Sequence, residues 1–433
     1  MSGLRKVIAA VAAVVLIAGT GAGLFFSWPH ALPEVKPSAS QPTGADLIAR
    51  GKYLTTAADC EACHTAPGGR PFVGGLAFEL PFGTLYSPNI TPDSETGIGR
   101  WSDAEFVRAV RSGVGRHGED LYPAFPYTSY ALLTTDDTLA IKAYLDTLTP
   151  VSSKPPENEL LFPFNQRYVM RGWKLLFVPS SPYKPDASKS DSWNNGAYLV
   201  EALAHCGECH TPRGIMFQRK QGSALSGGSL EGWTAWNITP DLETGIGGWT
   251  DDQLKSYISK GYAHGRGPAA GAMRQAIDLS LSRLPGSDID AIVTYLRSVE
   301  PRISSYESRG DVAIQPTPAM TSKAWKPADG PRGLGARLFA GACASCHGWD
   351  GSGQNNPRAA LSGSHSVADQ TGANLVQVIL KGSVAANGAA AEAMPAFGKA
   401  FSDTEIASLA NYVIGHFGGK NGSVTPDDVG KAR

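Results

Sequence analysis

The sequence predicts a mainly α-helical protein in which three small helical domains follow one N-terminal membrane helix. Three observations carry that prediction. Residues 7–28 (VIAAVAAVVLIAGTGAGLFFSW) contain no charge, and about 20 apolar residues suffice for a helix to cross a bilayer. NITPDSETGIGRW at residues 89–101 returns as NITPDLETGIGGW at 237–249 with two mismatches, which marks duplicated domains. A Cys-x-x-Cys-His motif occurs three times, at residues 60–64, 206–210 and 343–347.

Composition narrows the field. At roughly 100–200 residues per domain, a chain of 433 residues holds two to four domains. Its 42 % hydrophobic content excludes disorder as the main state. Lys+Arg 38 against Asp+Glu 39 leaves no field that would hold a polyanion, so nucleic acid is not expected as a partner. Charged residues make up only 18 % while Gly 50 and Pro 30 are high, which favours short helices joined by irregular loops over coiled coil.

Taken in order, the chain opens with Arg5 and Lys6 ahead of the apolar run. Positive charge before the segment and no comparable cluster after it keep the N-terminus in the cytoplasm and send the body to the periplasm. The run continues to Trp28, an aromatic suited to a membrane interface, so it reads as an uncleaved anchor; small residues at 18–23 leave a cleavable signal as the alternative. Anchor and Pro-rich spacer occupy residues 1–46.

The first domain, 47–152, holds the first motif, the first repeated segment, a helix start at the capping box Ser102-Asp-Ala-Glu105 and an apolar-periodic closing helix over 136–148. A Pro- and Ser-rich linker, 153–190, is too long for a structureless connection and is expected to lie across the domains it joins. The second domain, 191–302, repeats the plan, with the box Thr250-Asp-Asp-Gln253 and a closing helix over 287–299. After a second linker, 303–331, the third domain, 332–421, lacks the repeated segment but opens its last helix at Ser402-Asp-Thr-Glu405; residues 422–433 form a tail. Tyr53, Tyr144, Tyr198 and Tyr295 are expected where first and last helices cross.

Cys60-Glu-Ala-Cys63-His64, Cys206-Gly-Glu-Cys209-His210 and Cys343-Ala-Ser-Cys346-His347 match the c-type haem attachment motif. Two thiols one helical turn apart reach the two vinyl groups of one haem, and the adjacent histidine then supplies the iron's proximal nitrogen. Zinc would need a second ligand pair at matching spacing, and thioredoxin-like chemistry a βαβ setting. Every cysteine is consumed, which leaves none for a disulfide or an iron–sulfur cluster.

With these motifs, both NITPD-x-ETGIG-x-W segments, Leu121-Tyr-Pro-Ala-Phe-Pro-Tyr127 and Met394-Pro-Ala-Phe397, residues 47–418 resemble the tri-haem cytochrome c subunits of bacterial membrane-bound dehydrogenases for alcohols, aldehydes, gluconate and related sugars. The resemblance implies three tandem class I cytochrome c domains with three covalently bound haem c groups, anchored at the inner membrane. It also implies electron transfer, from a periplasmic catalytic subunit that oxidises substrate to a membrane quinone or a terminal oxidase. The partner's cofactor stays open between quinone cofactor, flavin and molybdenum, with the YPAFPY form and the N-terminal anchor leaning toward molybdenum.

In class I cytochromes the sixth ligand precedes the last helix. Met394 stands there in the third domain and Met273 in the second, and a Met/His pair raises the potential. The first domain has no methionine; His117 is its one spare histidine, although the second repeat has His264 at nearly the same place. An open iron is the alternative, and with it a rival function, reduction of a small ligand such as peroxide at the first haem. No serine, cysteine or carboxylate constellation for substrate oxidation and no G-x-G-x-x-G opening a βαβ unit occurs. Asn89, Asn237, Trp101 and Trp249 are expected either to bind propionates or to form a shared loop core. Pro67 and Pro212 are expected to offer a carbonyl to the proximal histidine, and His205 to be a surface or propionate neighbour.

Overall fold

The computed structural model describes residues 2–27, 30–306, 331–354, 356–383 and 393–433; Trp28 and most of the second linker lie outside them. Helices dominate, with a few short antiparallel strand pairings. The chain divides into two compact units, Met1–Lys52 with His64–Tyr183, and Tyr53–Cys63 with Lys184–Arg433.

In the first unit the apolar run forms the helix Ser2–Ser27, long and apolar enough to cross a membrane and exposed along its length. The capping box at Ser102 is formed: its hydroxyl accepts the Glu105 amide at 3.3 Å while the Glu105 carboxylate accepts the Ser102 amide at 2.7 Å. The helix Asp103–Ser112 that it opens ends at Gly113, whose φ of 59° is left-handed and free of strain only for glycine. Parts of the segment 153–183 pack on this unit. Glu159–Leu160 adds a third strand beside Gly83–Tyr86, which pairs with Ala77–Leu80, and the Tyr183 amide donates to the Leu132 carbonyl at 2.8 Å.

One packing device recurs three times. On the helix Gly44–Ala57, a methyl group at Gly51 would stand 1.9 Å from the Ala140 carbonyl oxygen and 2.8 Å from the Tyr144 Cβ on the helix Thr135–Leu145. In the second unit Gly196, on Asp191–Tyr198, faces Ala291 and Tyr295 on Gly286–Ser298 in the same way, at 2.0 and 2.9 Å. Gly335, on Pro331–Ala342, faces Ser408 and Tyr412 on Asp403–Phe417 at 2.1 and 2.8 Å. In each pair two backbones approach so closely that only glycine fits. Between this glycine and the first motif cysteine the second repeat has one residue more than the first, and the wider π turn Leu199–Leu203 accommodates it. Tyr144 and Tyr295 sit at the crossings as expected. Tyr53 does not; its hydroxyl donates to Asp288 at 2.7 Å, beside Asn195, which donates to the other carboxylate oxygen at 2.9 Å.

The capping boxes at Thr250 and Ser402 are likewise formed. Within the second unit the second and third repeats meet through a reciprocal pair. The Thr234 amide donates to Asn374 Oδ1 at 2.7 Å, and Asn374 Nδ2 donates back to the Thr234 carbonyl at 2.9 Å. Asn374→Ala strands both backbone groups and is expected to lower stability by about 1–3 kcal/mol; an unchanged calorimetric transition would show that the pair is not a clamp.

Candidate haem-binding sites

Each motif winds into a short helical turn: Cys60–Cys63, Gly207–His210 and Ala344–His347. All six cysteines are free thiols, and burial pushes those of Cys60, Cys63 and Cys206 up to about 12 and those of Cys209 and Cys343 to about 11.

The three histidines share one arrangement. The Nδ1 atoms of His64, His210 and His347 hydrogen-bond the carbonyls of Pro88, Trp236 and Ala359 at 2.8, 2.6 and 2.6 Å. Such a bond to a carbonyl places the proton on Nδ1, holds the ring plane, and leaves Nε2 with its lone pair for a metal. Burial lowers each imidazole's pKa below its ordinary value, the carbonyl opposing, so the neutral form needed for ligation is favoured. Two unpaired thiols and a pre-oriented neutral imidazole in each motif fit a covalently attached haem c.

The accepting carbonyls differ from the expected ones. Pro212 instead accepts the Lys220 amide at 2.9 Å. In the first two motifs the acceptors are the residues just before Asn89 and Asn237, and this explains the repeated segment. Asn89 Nδ2 donates to Thr96 Oγ1 at 3.0 Å and to the Val151 carbonyl at 2.7 Å, and its Oδ1 accepts the Thr91 amide at 2.9 Å. Asn237 repeats the set with Thr244 at 2.9 Å, the Arg302 carbonyl at 2.6 Å and Thr239 at 2.9 Å. Both asparagines therefore serve the loop core rather than a ligand, and they hold the carbonyl that orients the histidine. Trp249 lies edge-on to Tyr257 with the Arg266 guanidinium over its ring at 5.0 Å.

Met394 is pinned by a two-way backbone bridge to Ser383 (3.0 and 2.7 Å) and packs on the core that contains Cys343, Phe339 and Ile406. Met273 is half-buried on Gly271–Leu279, a helix that packs against the Cys60–Cys63 turn. His117 is exposed at the tip of the turn closed by Val114 and Asp120, its amide donating to Glu119 at 2.9 Å; His264 is exposed at the matching tip of the second repeat. His205 is half-buried: its φ is 39°, its imidazole meets the Ala58 backbone, and burial lowers its pKa.

His365, which carried no signal in the sequence, stacks on Trp236 with ring centroids 4.0 Å apart and planes at 8°. Burial, helped by Arg266, lowers its pKa to about 4 from 6.5. The unfolded chain takes up this proton near pH 6.5 and the folded chain only near 4, so the site's stability is whole above that window and is lost as pH falls through it. The loss is on the order of 3 kcal/mol. His365→Phe, which keeps the stack, is expected to flatten the acid limb of the stability profile in thermal melts; an identical acid limb would exclude this site as its source.

Fold and sites together define a c-type cytochrome. Residues 48–149 match the family model described as cytochrome c, and residues 333–413 the one described as cytochrome c oxidase, cbb3-type, subunit III. The chain is 38 % identical to the fructose dehydrogenase cytochrome subunit of Gluconobacter japonicus, over 98 % of this chain and 88 % of that one. It is 37 % identical to the gluconate 2-dehydrogenase cytochrome c subunit of Pantoea cypripedii, over 89 % of each. It is 39 % identical to a nicotinate dehydrogenase subunit of Pseudomonas putida over 90 % of this chain, which spans 32 % of that longer protein. The chain belongs to the family of cytochrome c electron-transfer subunits of membrane-bound dehydrogenases.

Proposed function

We propose that the chain forms three tandem class I cytochrome c domains carrying three haem c groups, and that it relays electrons from a periplasmic dehydrogenase subunit to a membrane quinone or a terminal oxidase. The observation that carries the count is the histidine–carbonyl bond, built alike at His64, His210 and His347. When bound, the haem iron supplies reversible one-electron storage. The protein's own groups attach and orient. Cys60, Cys63, Cys206, Cys209, Cys343 and Cys346 would hold the groups, the three histidines would ligate through Nε2, and Met273 and Met394 would supply a thioether in the second and third domains. His117 is the imidazole the first domain offers, and from its exposed turn it would have to swing inward to ligate. The helix Ser2–Ser27 anchors the chain with its body in the periplasm.

A catalytic dehydrogenase subunit is the partner, of quinone-cofactor, flavin or molybdenum type, with a lean toward molybdenum; copurification followed by cofactor analysis identifies it. Relatives named as dehydrogenase cytochrome subunits favour this reading over peroxide reduction. A pyridine haemochrome assay should return three haems per chain and two for the Cys343→Ser/Cys346→Ser variant; two in the unaltered protein would sink the count.

A further inference from the structure

The geometry points to a second membrane contact: the linker segment 160–178 lies in the lipid interface beside the exit of the N-terminal helix, and its apolar side chains enter the headgroup boundary. This rests on the reading of Ser2–Ser27 as a membrane anchor.

The segment (LLFPFNQRYVMRGWKLLFV) contains three cations and no acidic residue. It folds with its polarity inverted relative to an ordinary surface helix. On the helix Val169–Phe177 the charged side chains face inward: Arg171 and Lys174 are 12 % and 9 % exposed and both are drawn to Asp120, which is 4 % exposed and also bonds His30 at 3.0 Å. Lys174 further donates to the Gly113 carbonyl at 2.8 Å. With the cations spent on the interior, Leu175 and Leu176 stand 73 % and 66 % exposed, and Val169, Tyr168, Leu161 and Phe162 join them, Phe162 at 80 %. Water-facing surfaces of soluble domains do not collect such a patch without a partner.

Its position selects the partner. Arg171 donates to the Phe25 carbonyl at 2.6 Å, Tyr168 lies edge-on to Phe26 at 5.8 Å, and Gly172 passes that same ring. These contacts tie the patch to the end of the apolar helix, where the chain leaves the bilayer. An apolar side chain held there meets the acyl boundary, as in interfacial amphipathic helices, and Tyr168 has the amphipathic ring favoured at that depth. A protein docking face would be expected to carry exposed polar groups for registry around its rim; here Asn165 is the one polar residue of 160–178 that is exposed, its Oδ1 accepting from Gln166 at 2.8 Å.

The test uses the full-length holoprotein in vesicles of phosphatidylethanolamine and phosphatidylglycerol containing a diazirine-bearing acyl probe, with labelled peptides identified by mass spectrometry. Labelling of both the 3–26 and the 161–177 peptides supports the inference. In the Leu175→Asn/Leu176→Asn variant, labelling of 161–177 should fall by about a hundredfold, each of the two leucines being worth roughly tenfold in partition, while 3–26 and the haem content are unchanged. Labelling confined to 3–26 overturns it. Protection of 161–177 from hydrogen exchange only when the catalytic subunit is bound also overturns it, in favour of a protein partner. Absence of label from 3–26 instead defeats the anchor reading itself.

Discussion

Alanine at Gly335 is expected to lower the melting temperature of its domain by about 10–20 °C and to cut the haem content of the purified protein. The added Cβ would lie 2.1 Å from the Ser408 carbonyl oxygen and 2.8 Å from Tyr412 Cβ. The oxygen belongs to helix backbone, so no side-chain rotation relieves the clash and the two helices must move apart. Overpacking of this kind costs about 1–3 kcal/mol or more. In a domain of about 100 residues each kcal/mol is worth roughly 4–8 °C. Gly51→Ala and Gly196→Ala should behave alike, since the approach is 1.9 and 2.0 Å. The control lies on the same helix as Gly335: Gly341→Ala meets nothing within 4 Å and should be neutral or stabilising by up to about 1 kcal/mol. If Gly335→Ala melts like Gly341→Ala, the close crossing is not what holds the domain.

Removing either methionine proposed as a ligand should have the largest effect on electron transfer. Met394→Leu is expected to abolish part of the sulfur-to-iron band at the red edge of the oxidised spectrum and to lower one potential by tenths of a volt, within the roughly 0.8 V that axial ligands span. The thioether favours reduced iron, so its loss moves the potential down. Leucine is chosen because Met394 packs on the core that contains Phe339 and Ile406, and truncation to alanine would add about 2–5 kcal/mol of cavity cost. Met273→Leu should remove the remaining part of the band, and the double variant all of it. His117→Ala should leave the band intact and turn one low-spin signal high-spin. An unchanged magnetic-resonance spectrum in that variant would retire His117 as a ligand, and a full band in the methionine double variant would retire both methionines.

What could be read from the sequence was local. The capping boxes at Ser102, Thr250 and Ser402 need only residues one turn apart, and all three are formed. The attachment motifs confine their chemistry to five residues, so the cofactor class followed from spacing alone, and the N-terminal helix from an uninterrupted apolar run. The repeated NITPD segment announced duplication without revealing its purpose. Nothing inside the segment shows that its asparagine holds the preceding carbonyl against a histidine far back in the chain.

The sequence by itself determined the helical class, the duplicated plan, the three attachment motifs and the long apolar helix, because each is encoded by neighbours along the chain. The tertiary structure alone decided which groups meet across it. The His64 and His210 rings are oriented by carbonyls 24 and 26 residues away, and His347 by one 12 residues away, whereas Pro67 and Pro212 were attractive only by nearness. The polarity of the Val169–Phe177 helix was undecidable from its own residues. A buried carboxylate at Asp120 draws Arg171 and Lys174 inward, and that electrostatic pull, set by a residue about fifty positions upstream, turns the leucines out.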